Sequence, residues 1–324
     1  MNLSVSIIAL LGLSVPTCAF PWDRRTTRTS APSGCLTVGT PGNYSSVSDA
    51  IAALGTSTAD ACIYIAAGTY EEQLTIEYGG RLTLYGQTSD TETYKENTVT
   101  ITHTISSPEA GSLDASATVN VKSDLFSMYN INVVNGYGSG AQAVALVANA
   151  EKLAFYACQF IGYQDTLYAK TGRQYYVNSR IEGAVDYIFG DASAWFANCD
   201  IVSNGKGYIT AMSRQTTSDT AWYAMDHCNI KAASGVDITG DVYLGRPWRV
   251  LARVIYQNSV LSDIINPKGW TTMAEGATPL YYEFDNTGAG SNTSERLYTS
   301  TIEAAVTKAT VLGDDYADWI DSSF

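Results

Sequence analysis

Charge is scarce in this chain. Only 16% of its 324 residues are Asp, Glu, Lys or Arg, and 32 of these are acidic against 19 basic. The resulting formal charge of −13 argues against a nucleic-acid partner or an anionic membrane surface, since either is held by a basic face. Histidine is scarcer still: His103 and His227 are the only two, and no Gly-x-Ser-x-Gly occurs. A serine-esterase triad is therefore poorly supported, and both histidines read as structural. No Cys/His cluster has zinc spacing and no Asp-rich loop has calcium spacing. Gly136-Tyr137-Gly138-Ser139-Gly140 lacks a following lysine and helix, so it reads as a loop and not a phosphate cradle. After residue 15 no apolar run is long enough to cross a bilayer.

The one early apolar run, residues 3–15, has the length of a signal peptide, and Thr17-Cys18-Ala19 offers small residues for cleavage after Ala19. Residues 1–19 are expected to be a leader and 20–34 a polar tail that would be a pro-segment if Arg24-Arg25 is cut. Residues 35–324 are expected to be a single catalytic domain, secreted and monomeric. Removing Cys18 leaves five of six cysteines. Cys35 and Cys62 flank the first helical segment and are placed to close a disulfide. Asn43-Tyr44-Ser45 and Asn292-Thr293-Ser294 are glycosylation acceptors.

What the chain has in plenty is Tyr (22), Gly (27) and short β runs. After a strand at 35–38, residues 46–54 carry Ala50, Ile51 and Leu54 at helical spacing, which predicts a short helix over one end of the domain. Strands are predicted at 63–65, 74–76, 82–85, 99–101 and 118–121, and a further helix within 300–312. From residue 126 a pattern recurs: Phe126-x-x-Tyr129-x-Ile131, Phe155-x-x-Cys158-x-Phe160, Tyr176-x-x-Ser179-x-Ile181, Phe196-x-x-Cys199-x-Ile201, Met225-x-x-Cys228-x-Ile230 and Tyr256-x-x-Ser259-x-Leu261. Its first residues are 29, 21, 20, 29 and 31 apart. Short strands with such periods predict an all-β, right-handed parallel β-helix. The rival is an antiparallel sandwich turned at Asn135-Gly136 and Asn204-Gly205. In a β-helix Cys158, Cys199 and Cys228 share one inward column, as free thiols packing like small apolar groups or, alternatively, with a Cys199–Cys228 bridge.

The repeat also measures the rest of the chain. Asp165 lies ten residues after Phe155 and Asp186 ten after Tyr176, so the two occupy equivalent places on adjacent coils. Gln142 and Gln164 fall within a residue of the same stack, and Arg246, ten before Tyr256, falls near it on a later coil. A structural polar ladder would rarely choose two stacked carboxylates, which repel unless one is protonated or meets a cation. Opposite protonation states beside neutral amide donors suit acyl transfer or glycoside hydrolysis.

Five blocks then stand out: Gly68-Thr69-Tyr70-Glu71-Glu72, Gln142-Ala143-Val144-Ala145-Leu146, Gly162-Tyr163-Gln164-Asp165-Thr166-Leu167-Tyr168, Asp186-Tyr187-Ile188-Phe189-Gly190 and Leu244-Gly245-Arg246-Pro247-Trp248. Together and in this order they resemble the signature blocks of pectin methylesterases, most like the secreted fungal members. The resemblance implies hydrolysis of the C6 methyl esters of polygalacturonan, with no metal or organic cofactor. It implies Asp186 as nucleophile, Asp165 as general acid then base, Gln142 and Gln164 as oxyanion donors, and Arg246 as the partner of Asp186. It also implies that Trp248 stacks on sugar, with Tyr163 and Phe189 as further cleft aromatics. Tyr187 stands where the family often has Phe, a change expected to touch packing or the cleft. A β-helix lyase or glycosidase, and a non-catalytic carbohydrate-binding β-helix, are the competing readings. The acidity suits solubility in an acidic medium, and would also repel the anionic product and favour dispersed over blockwise demethylation.

Overall fold

The structure is a computed structural model and describes residues 26–324. The leader, its cleavage site, Cys18 and Arg24-Arg25 lie outside the described residues. Among the described residues every pairing between strands is parallel, which removes the sandwich and its hairpins. One sheet holds ten strands in sequence order, from Leu36–Val38 to Leu280–Phe284, one from each coil. The other thirteen strands among the described residues belong to one continuous sheet that covers two more faces. In early coils those faces carry separate strands, such as Gln159–Ile161 and Leu167–Thr171. Arg180–Gly190 joins them: its start pairs with Gln159–Ile161 and its end with Leu167–Thr171. Asp200–Met212 runs around the same corner on the next coil. The result is a parallel β-helix, right-handed as parallel crossovers are.

The inward column is as the repeat predicts. Phe155, Tyr176 and Phe196 pair in register and their rings stack, with centroids 4.9 and 4.6 Å apart and planes within 10°. Cys158, Cys199 and Cys228 are buried free thiols, so the alternative bridge is not made. Ser179 and Ser259 occupy the same column, fully buried, and their hydroxyls accept from the backbone N–H of Cys158 and Cys228. The first line of the repeat is corrected by two residues: Met128, not Phe126, pairs with Phe155. An apolar residue stands at both positions, and only the ladder of backbone bonds distinguishes them.

From the strand Ser127–Tyr129 onward, seven successive coils leave the ten-stranded sheet through one left-handed residue. Asn130, Ala157, Asn178, Asn198, His227, Asn258 and Asp285 all have φ between 49° and 54°. Asn dominates because its short polar side chain tolerates this region. His227 is thus a corner residue with its side chain 62% exposed.

The expected N-terminal helix spans Val47–Leu54, with the Ser46 side chain accepting from Asp49 N–H. It buries Val47 and Ala50 over the end of the stack, and Ile51 and Leu54 pack against the same core. Cys35 and Cys62 are bonded beside it. The helix expected within 300–312 contracts to Lys308–Leu312. Residues before it spend their hydrogen bonds on the sheet instead: Val306 N–H donates to Gln257 Oε1 and Val306 C=O accepts from Gln257 Nε2. The C-terminal residues Val311, Leu312 and Trp319 then cover Tyr156, Tyr175 and Trp195 on the outer face of the ten-stranded sheet. Two helical turns were not foreseen, Ser107–Ala110 and Leu113–Ser116. A capping box, Ser106 with Glu109, and Pro108 announce the first, but four residues carry no amphipathic period.

Candidate active site

The two aspartates are corner residues. Asp165 and Asp186 have φ of 63° and 50°, the left-handed region that lets the chain turn onto its last face. Leu167 pairs with Ile188, and Asp165 N–H donates to Val185 C=O, so the aspartates sit side by side on adjacent coils. Both are nearly buried, at 8% and 6% exposure. Tyr187 is fully buried, with its hydroxyl 3.1 Å from Ser203 Oγ, and does not line the cleft.

Arg246 reaches this pair from a distance. Gly245 pairs with Thr210, which places Arg246 beside Ala211 and hence in the row of Phe189, three residues past Asp186. A Cβ on Gly245 would collide with Thr210 Oγ1, so only glycine lets this strand lie so close. The arginine side chain returns along the face and binds both carboxylate oxygens of Asp186 through one edge of its guanidinium: Nε donates to Oδ1 at 2.8 Å and Nη2 to Oδ2 at 2.6 Å. Such a fork fixes orientation as well as charge. Among the described residues Asp165 has no such partner. Burial, and then the neighbouring Asp186 charge, push its carboxyl up to about 8, with Arg246 pulling only partly the other way. One acid is therefore neutral and the other paired, the separation of states that acid–base chemistry needs.

The amides complete the site. Ala143 N–H donates to Gln164 C=O, so Gln142 lies one step off the Gln164 row, and Gln142 C=O is held by Ser107 N–H at 2.7 Å. Both glutamines line a cleft of about 320 Å³ with Asp165, Asp186 and Arg246, and among the described residues neither side-chain amide has a hydrogen-bond partner. Phe189 forms part of the cleft wall and stacks on Tyr168 at 4.3 Å, with Trp248 tilted against it at 5.8 Å. Trp248 is half-buried, and it too lines the cleft.

Tyr163, expected among the cleft aromatics, is not among the lining residues. Its ring lies toward later coils, where a Cβ on Gly205 would come within 2.7 Å of its hydroxyl. Four lining residues escaped the sequence reading: Ser107, Leu113, Ala211 and Met273. Ala211 was within reach of the register, since it stands between Phe189 and Arg246. The other three come from loops and short turns, where no period places a side chain. His103 and His227 do not line the cleft.

This architecture has known counterparts. A probable pectinesterase A of Aspergillus flavus is 78% identical over 324 residues, all of both chains. The crystal structure of the pectin methylesterase from Aspergillus niger in deglycosylated form superposes with a TM-score of 0.92 at 74% identity, covering 92% of this chain and 100% of that one. Pectin methylesterase from carrot follows at 28% identity and a TM-score of 0.81, over 90% of this chain and 96% of that one. The pectinesterase family model matches residues 36–322, and the chain belongs to that family.

Proposed function

We propose that this protein hydrolyses the methyl esters of polygalacturonan through an acyl-enzyme on Asp186. The observation that carries the reading is the register of Asp165 beside Asp186, with Arg246 forked onto the latter alone. An ionised carboxylate held at a fixed angle is a nucleophile; a neutral one next to it is a proton donor. Asp186 attacks the ester carbonyl carbon. The developing oxyanion forms against the Gln142 and Gln164 amides, which have no competing partner. The tetrahedral intermediate collapses, the C–O bond to methoxide breaks, and Asp165 delivers its proton so that methanol leaves. An anhydride between Asp186 and the sugar C6 remains. Asp165, now ionised, takes a proton from water, hydroxide attacks the C6 carbonyl, and the anhydride opens to a C6 carboxylic acid and the Asp186 carboxylate, with Asp165 protonated again; the C6 acid then loses its proton to solvent.

Trp248 and Phe189 offer the apolar wall against which a sugar ring and its methyl ester would pack. The substrate would be pectin outside the cell, reached after removal of residues 1–19, with residues 35–324 acting as one monomeric catalytic domain. The test is methanol release from methylated pectin by the wild type and by Asp186→Asn. The wild type should release methanol without new reducing ends or unsaturated uronates. Asp186→Asn should lose at least about a thousandfold in kcat while unfolding at the wild-type temperature. Near-normal methanol release by a folded Asp186→Asn would remove Asp186 as nucleophile.

A further inference from the structure

Arg246 acts at the end of a long side chain that has to double back three residues along the sheet to meet Asp186. An arginine in that position has several rotatable bonds between its anchored backbone and its fork. Both donated bonds survive only if the guanidinium plane is held flat and at one height above the strands. Asp186 holds one edge of it. The face is held by another residue: the Arg246 guanidinium carbon lies 3.9 Å from the centroid of the Tyr208 ring.

Tyr208 is built into the scaffold at this point. It pairs with Val185, the residue before Asp186, on one side and with Tyr243 on the other. Its neighbour Ile209 points into the core, fully buried, so Tyr208 points outward under the arginine. The Tyr243 ring lies alongside at 5.6 Å and 27°, which limits tilting of Tyr208. Tyr208 is half-buried and is not among the residues lining the cleft. It is therefore placed to touch the arginine and not the substrate.

We infer that Tyr208 is a positioning residue for the reaction: its π face carries the Arg246 guanidinium at the height and angle from which both N–H groups meet Asp186. The inference rests on the reading of Asp186 as nucleophile. The attraction is electrostatic, between a cation and the negative face of the ring, and it strengthens where water is partly excluded. An aliphatic side chain of similar bulk would fill the space without fixing the plane. The competing role is plain packing, in which Tyr208 only covers Tyr243.

The two roles separate by altering ring charge at constant shape. Tyr208→Phe keeps the π face and should stay within about twofold of wild-type kcat. Phenylalanine bearing one and then three ring fluorines at position 208 drains the face stepwise and should lower kcat stepwise. Tyr208→Leu should lose about tenfold in kcat with KM for pectin within about twofold, because the interaction serves the reacting carboxylate and not sugar binding. Unfolding temperatures accompany each variant, and if Tyr208→Leu does not fold, the isosteric fluorinated series decides. A flat kcat across that series overturns the inference, as does a loss confined to KM. Asp186→Asn assayed in parallel distinguishes the failures. If it keeps turnover, the nucleophile assignment falls; if it is inactive and the Tyr208 series is flat, only the role of Tyr208 falls.

Discussion

Under the proposed mechanism Asp165 couples the reaction to pH: as general acid it would have to carry a proton when substrate arrives, and burial, with the neighbouring Asp186 charge, raises its carboxyl to about 8. The alkaline limb of kcat/KM should therefore report Asp165, with activity falling as pH rises through about 8. The same shift has a consequence for stability, and its sign is opposite to that of an ion-paired carboxylate. The folded state holds the proton more tightly than the unfolded chain, whose Asp titrates near 3.8. Between about 4 and about 8 the native state binds more protons, so stability contributed at this site is full below the lower value and declines as pH rises. Asp165→Asn, which imitates the neutral acid, should melt above the wild type at pH 7 and at the same temperature near pH 4, while losing activity. Thermal unfolding of both proteins across that range checks it; a wild type as stable as the variant at pH 7 would contradict it. The residue-level pattern was readable in advance because both aspartates keep the same ten-residue offset from an inward aromatic. What the offset did not convey is that both are left-handed corners, a property of the turn and not of composition.

At the scale of elements, the coils are held by register more than by local propensity. The strand Arg180–Gly190 serves two faces because it passes the corner without a break, and it thereby carries Asp186 into line with Asp165 on the previous coil. The Cys35–Cys62 bond works at the other end of the stack, tying the first strand to the second across 27 residues of sequence that include the helix Val47–Leu54. Closing a loop of that length restricts the unfolded chain by about 3–4 kcal/mol. The double substitution Cys35→Ala/Cys62→Ala should lower unfolding free energy by that order in urea titrations while methanol release at 25 °C stays near wild type, since neither cysteine lines the cleft. An undiminished stability would mean that the terminal coil is secured by its helix alone. Elements without periodicity were the ones the sequence hid. The turns Ser107–Ala110 and Leu113–Ser116 supply a wall of the cleft. The expected helix over 300–312 gives way in its first half because Gln257 offers Val306 a better partner than a helical turn would.

For the whole molecule the relevant quantity is a formal charge of −13 facing a polymer that becomes more anionic with each turnover. Repulsion of that kind should release the product after few events and favour dispersed demethylation. It should also depend on salt: screening extends over about 30 Å at 0.01 M and about 8 Å at 0.15 M. Raising ionic strength over that interval should increase kcat/KM for low-ester pectin more than for high-ester pectin. Fragment analysis of pectin treated at low salt should find scattered free acids, and long contiguous acid blocks there would refute the argument.

By itself the sequence determined the stack and the meeting of Asp165 with Asp186, because a solenoid converts equal offsets along the chain into neighbours in space. Which residue begins the repeat at Met128, how Arg246 doubles back over Tyr208, where Tyr163 turns and which loop side chains wall the cleft were decided only by the tertiary structure. Those features depend on side-chain reach and on segments that carry no period, and nothing in the order of residues measures either.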